Sequence, residues 1–222
     1  MTARIASITI LHRTEHLLAV SKPTGMLSVP GRGPDLQDCL VKRLEFDFPH
    51  ARIVHRLDRD TSGVMILALD ADTHRELSGQ FERREVAKRY IARVAGQVDG
   101  DTGRIELPMR KDFDRPPRHR VDHEQGKPAV TDWRVTHRAE SWTELELSPH
   151  TGRSHQLRVH CHAIGHSILG DPLYGDQTPP PEAADGLWGR AGNPRLMLHA
   201  ESLTVTCPRT GDRLTFEAPS PF

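Results

Sequence analysis

A carboxylate stands where charge gives way to apolar chain. The run Ile53-Val54-His55-Arg56-Leu57-Asp58-Arg59-Asp60-Thr61-Ser62-Gly63 is crowded with ionisable groups and passes straight into Val64-Met65-Ile66-Leu67-Ala68-Leu69-Asp70. The second half is short, unbroken and apolar, the pattern of a strand buried on both faces. Asp58 is thereby carried to the edge of a region without water, where an ion needs a partner. That placement serves stability poorly and suits a reactive carboxylate, which can act as a nucleophile.

Other chemistry-bearing residues lie further along. From Lys88 to Val94 the chain alternates, with Tyr90, Ala92 and Val94 on one side, Arg89 and Arg93 on the other, and Ile91 the exception. A half-buried strand of this kind turns Tyr90 inward, and by alternation alone it is a core tyrosine. Arg153 precedes Ser154, the expected N-cap of a helix from His155 to Ala163. Leu157, Cys161 and Ile164 share a face of that helix and Gly165 ends it. Taken alone, Arg153 is an ordinary surface residue. Arg110, Lys111, Arg115 and Arg118 fall in a basic, Pro-rich stretch from 110 to 120 with one aromatic, Phe113. It reads either as a solvated loop or as an arm laid along a phosphate backbone, its ring stacking on a base. Lys22-Pro23-Thr24-Gly25 reads as a plain turn bearing a surface lysine.

The elements that must position these residues are short. Ile5–Ile10 and Leu17–Val20 are expected as strands around a polar turn at Thr14–His16. Leu36, Leu40 and Leu44 predict a helix reaching about Phe48. Thr73 with Glu76 forms a candidate capping box for a helix whose buried face is Leu77 and Phe81. Arg104–Pro108 is expected as a strand. Ala129–Thr136 and Thr143–Leu147 form an antiparallel pair joined near Glu140, and Leu196–Cys207 and Arg213–Ala218 close the chain. Gln177–Asn193, rich in Pro and Gly, is expected to be a long loop. Many short strands and few helices give an α+β class with a mixed, mostly antiparallel sheet.

The 222 residues suffice for a sizeable core. Thirty basic and thirty acidic residues cancel, so any basic surface for a nucleic acid must be local. Cys39, Cys161 and Cys207 are scattered, odd in number and include no CxxC pair, so neither a disulfide framework nor a zinc ribbon is suggested and a reduced, cytoplasmic setting is expected. There is no signal-peptide pattern, and no apolar run nears the ~20 residues that span a bilayer.

Four blocks, in order, resemble the RluA family of pseudouridine synthases. They are Lys22-Pro23-Thr24-Gly25, His55-Arg56-Leu57-Asp58 with Thr61-Ser62-Gly63, Lys88-Arg89-Tyr90, and Thr151-Gly152-Arg153-Ser154-His155-Gln156-Leu157-Arg158. The resemblance runs from about Ile10 to Phe222 and is nearest to the smallest members, because no S4-type domain precedes the first block. It implies a pseudouridine synthase fold: a central sheet flanked by helices, an active cleft across it, and one catalytic domain over residues 1–222 made of two half-sheets. It implies an isomerase that detaches a uracil from its ribose, turns it and rejoins it through carbon, with neither cofactor nor metal.

The same resemblance implies roles. Asp58 is the catalytic nucleophile, acting on ribose or base. Arg153 pairs with it and keeps it ionised against desolvation. Tyr90 stacks on the target base and helps remove the last proton. The target uridine is flipped from its stack at a cost of roughly a few kcal/mol, and Arg56 fills the space left. Leu198 and His199 line the pocket, Leu198 being equally a plain core residue, and Thr61 lies among the RNA-contacting residues. The implied partner is RNA, not DNA or a membrane. The implied targets are a tRNA anticodon stem-loop together with a 23S ribosomal RNA hairpin, recognised by shape, and a monomer is expected. Leu157 replaces the Ile of many relatives. Arg59-Asp60 matches the larger members, which leaves the target RNA less determined than the reaction.

Two other readings stand beside this one. His150, His155, His160, His162 and His166 crowd one region, and His155 and His162 could share a helix face as metal ligands, though no HExxH or Cys/His spacing is present. A non-catalytic RNA-binding or ribosome-assembly protein would also use the basic arm, but has no need of a carboxylate facing phosphates.

Overall fold

The computed structural model describes residues 8–175 and 195–222. In chain order the strands begin β1 (Thr9–Arg13), β2 (Leu17–Lys22), β3 (Arg52–Ile53), β4 (Ser62–Ala68), β5 (Ala87–Ala95) and β6 (Thr102–Glu106). They continue β7 (Met109–Lys111), β8 (His119–Val121), β9 (Val130–Arg138), β10 (Trp142–Pro149), β11 (Leu198–Thr206) and β12 (Arg213–Glu217). The α-helices are α1 (Leu40–Leu44), α2 (Ala71–Glu82) and α3 (Gln156–Ala163). The chain forms two compact units, one of residues up to Ala87 with Ala200–Pro219, the other of Lys88–His199 with Ser220–Phe222.

The first unit is organised by β4. Every residue from Ser62 to Ala68 is buried, as the apolar run predicts. β4 lies antiparallel to β2, with Ser21 opposite Val64 and Leu17 opposite Ala68, and β3 pairs with its far end. Val64, Ile66 and Ala68 pack with Leu17, Leu77, Val86, Leu203 and Phe216. Gly63 explains itself here. Its φ is +118°, and a Cβ would run into the main-chain carbonyl of Ala200, so only glycine lets the two strands meet.

α2 does not start with the expected capping box. Asp70 is the N-cap: its carboxylate accepts the Thr73 N–H at 2.8 Å and the Thr73 hydroxyl at 2.9 Å. The Thr73 N–H, the strongest influence, helps hold the Asp70 carboxyl well below its ordinary range. A carboxylate ending a buried strand was there to be read as the cap. The helix expected through Phe48 is only the five residues of α1, preceded by a 3-10 turn at Pro34–Leu36. Leu40 and Leu44 are buried, but Leu36 is exposed and off that face, and Pro49 bars continuation beyond Phe48. β1 starts at Thr9; the early part of the strand expected from Ile5 lies outside the described residues.

In the second unit β10 sits between β5 and β9, antiparallel to both, and β6 extends the sheet from β9. Ala92, Val94, Leu145, Leu147, Leu157 and Cys161 form its core, with Tyr90 and Trp133 packed against it. The expected alternation in β5 and the β9–β10 pair are both found. The basic stretch is not a bare loop: β7 and β8 make a two-stranded antiparallel hairpin around it. α3 ends as expected. Gly165 has φ +88°, its N–H donates to His162 O, and the His166 N–H reaches back to Cys161 O, a Schellman close. Its start differs. Ser154 is not the cap; His155 is, in left-handed backbone with φ 56° and no side-chain cap bond. The stretch expected as a long loop, Gln177–Asn193, lies outside the described residues.

Candidate active site

Asp58 lies on irregular chain between β3 and β4 in the first unit. Arg56 is exposed, Leu57 buried and Asp58 half-buried, so the flanking pair point away from the core that takes Leu57. The backbone on both sides of Asp58 is pinned. The buried Ser28 hydroxyl donates to Leu57 O at 2.7 Å and accepts the Leu57 N–H at 3.2 Å. Beyond it, Lys22 Nζ donates to Arg59 O at 3.0 Å, the Thr24 hydroxyl donates to Asp60 O at 2.7 Å, and the Thr61 N–H closes a turn onto Asp58 O at 3.2 Å. Thr61 is itself buried, which makes it part of this frame. The loop is also tied to β4 by His55, whose Nε2 accepts the Ile66 N–H at 3.0 Å while its ring stacks on Phe81 at 4.6 Å.

Lys22 is the correction with most consequence. The surface lysine expected from the turn is fully buried. Its ammonium donates to three carbonyls, those of Pro23, Met26 and Arg59. Burial pushes it down from 10.5 to about 7, with Asp60 and then Asp58 pulling the other way. A cation is thus built into the frame of the acidic loop, and the Lys-Pro and Asp blocks, more than thirty residues apart, are one object.

The other two blocks are joined in the second unit. Tyr90 is half-buried, opposite Leu147 in the β5–β10 ladder. Two residues before it, Lys88 Nζ donates to Thr151 O at 3.4 Å. Gln156, buried at the start of α3, organises the turn that carries Arg153. Its Oε1 accepts the Thr151 hydroxyl at 2.7 Å and the Arg153 N–H at 3.0 Å; its Nε2 donates to Val130 O and to the Thr131 hydroxyl, each at 3.0 Å. Arg153 Nε donates to Pro128 O at 3.2 Å. Leu198 and His199 are buried in this unit, Leu198 in the core and His199 edge-on to Phe222.

The basic hairpin is built too. Buried Asp112 shapes its tip, accepting the N–H groups of Asp114 and Arg115. Three of its five Arg and Lys side chains face acids: Arg110 and Arg120 lie 3.0 and 3.3 Å from Asp122, and Arg115 lies 3.3 Å from Asp112. Lys111 leans over the ring of Phe113, which is 71% exposed, and Arg118 over Tyr174. The five crowded histidines are spread among separate partners: Asp132 for His150, Tyr174 for His155, Thr131 and Leu107 for His160, Ser167 for His162, and Ala95 for His166. Among the described residues no three His, Cys, Asp or Glu side chains are grouped to hold a metal. Sequence reasoning missed Lys22, Ser28 and Gln156. The first and third lie inside motif blocks, and neither chain position nor residue type shows that their polar atoms close onto main chain.

Residues 16–163 match the model of the RNA pseudouridylate synthase family. The chain belongs to that family. The synthase is 45% identical over 216 residues, 97% of this chain and 94% of the relative, to a dual-specificity RNA pseudouridine synthase RluA of Escherichia coli K12. Among solved structures, human RNA pseudouridylate synthase domain containing 1 superposes with a TM-score of 0.77 at 29% identity, covering 100% of this chain and 87% of that one. Human RNA pseudouridylate synthase domain containing 4 gives 0.75 at 27% identity, covering 96% and 88%. The synthase therefore has the α+β pseudouridine synthase fold and is an isomerase acting on RNA. The purely binding, non-catalytic reading falls with that result.

Proposed function

We propose that Asp58 is the nucleophile of uridine isomerisation, that Arg153 holds it ionised, and that Tyr90 stacks on the base and assists loss of its final proton. The observation that carries this reading is the pinning of the loop at Leu57 and Arg59, the two neighbours of Asp58. A half-buried carboxylate held in place needs no loop reordering as substrate arrives, the requirement for attack at a fixed geometry. A planar guanidinium can hold a carboxylate in one orientation by two aligned hydrogen bonds. Arg56, exposed beside the nucleophile, fills the stack vacated by the flipped base, a role suited to a flat cation. Leu198 and His199 back the base, and the hairpin with Lys111, Arg118 and Phe113 meets backbone and unpaired bases, aided by Arg110 and Arg115 once phosphates compete for them. One catalytic domain comprises both units and works as a cytoplasmic monomer.

The targets proposed are a tRNA anticodon stem-loop and a hairpin of 23S ribosomal RNA. The Escherichia coli relative is named a dual-specificity synthase, which supports two RNAs, and shape-based reading of loops accommodates both. The test is Asp58→Asn. Turnover on either RNA should fall by about a thousandfold or more, with the melting temperature and RNA affinity retained. Isomerisation at the wild-type rate in that variant would assign the nucleophile elsewhere.

A further inference from the structure

The turn that carries Arg153 and the basic hairpin meet at one phenol. Tyr174 is 5% exposed. Its hydroxyl accepts the backbone N–H of His119 at 2.7 Å, where β8 begins, and is hydrogen-bonded to His155 Nδ1 at 2.8 Å. Burial holds the phenol above its ordinary range, so the hydroxyl keeps its proton. The ring cannot easily withdraw. Guanidinium carbons of Arg118 and Arg158 lie 5.0 and 5.2 Å from its centroid. Arg158 is in turn locked by a buried two-point pair with Asp171, both bonds at 2.7 Å, and Asp171 also accepts the N–H of Tyr174.

At the other end of the bond the backbone is strained. His155 holds φ 56°, a left-handed backbone that a residue with a Cβ seldom adopts. His155 lies two residues after Arg153, and its φ sets the angle between the Arg153 turn and α3. A strain of this kind persists only where the surroundings impose it, and the tie to Tyr174 is one such constraint.

We propose that Tyr174 is a positioning residue: it couples the base of the RNA-contacting hairpin to the turn that aims Arg153, so that RNA seated on the hairpin fixes the guanidinium for the reaction. This rests on the role given to Arg153 above. Neither His155 nor Tyr174 touches the reacting atoms in this scheme; both act through Arg153.

Tyr174→Phe keeps the ring and its stacking and removes only the hydroxyl. With saturating RNA hairpin, single-turnover isomerisation should slow about tenfold, while the dissociation constant for RNA changes by no more than about twofold. His155→Gly, which tolerates the left-handed backbone, should slow the step by the same factor, and the double variant should be no slower than either. In an Arg153→Lys background Tyr174→Phe should cost almost nothing further. Packing alone would lower the melting temperature and give multiplicative losses. A slow Arg153→Lys with multiplicative Tyr174→Phe overturns this proposal and leaves the role of Arg153 standing. A harmless Arg153→Lys overturns both.

Discussion

The two units hold the segments that carry Asp58 and Arg153 by opposite electrical means. In the first, a buried cation ties the Lys-Pro turn to the chain beyond Asp58, three N–H bonds of Lys22 ending on three carbonyls. In the second, a neutral amide does the equivalent work, Gln156 binding Thr151, Arg153, Val130 and Thr131 without any charge. The loop that carries an anion has a positive frame; the turn that carries a cation has an uncharged one. A buried ammonium attracts the acids of the loop beside it, whereas a buried cation placed near Arg153 would repel that guanidinium. The charge of each frame therefore suits the charge it presents. One frame must respond to pH and the other must not.

The largest effect should come from the strand on which the frame of the first unit rests. Gly63→Ala brings a methyl against Ala200 O at positive φ, and should destabilise the protein by about 3 kcal/mol or more in urea denaturation. A loss below about 1 kcal/mol would mean that β4 and β11 can separate at little cost.

Lys22→Met tests the charged frame. Below about pH 7 both folded and unfolded chains carry the Lys22 proton. Between about 7 and 10.5 the folded chain has shed it and the unfolded chain has not, so this group adds stability as pH rises through that window. The deficit of the Met variant relative to wild type should therefore widen by about 2 kcal/mol from pH 7 to pH 9. A deficit that narrows over this range contradicts the buried, depressed ammonium.

Gln156→Leu tests the neutral frame and should cost about 2 kcal/mol. Its cost should be the same at pH 7 and pH 9, because no partner of the amide titrates there. A slope like that of the Lys22 variant would erase the contrast between the units.

Much of this was legible in the chain. The apolar run after Gly63 was a buried strand, the alternation around Tyr90 turned that residue to the core, and Gly165 ended its helix. These follow from periodicity and backbone stereochemistry, which are local. The helix starts were misread for an equally local reason. Serine and threonine are good caps by type, yet Asp70 with its short reach to Thr73 took one position, and left-handed His155 displaced Ser154 from the other.

By itself the sequence determined the family, through four blocks in order, and the main strands, through the spacing of apolar side chains. Only the tertiary structure decided that Lys22 is buried, that Ser28 and Gln156 hold the chain around the candidate residues, and that Tyr174 joins hairpin to turn. The reason is physical: each of these depends on a polar side-chain atom reaching main chain or a ring many residues away. Such a bond is set by where the backbone passes, and residue type alone does not say where that will be.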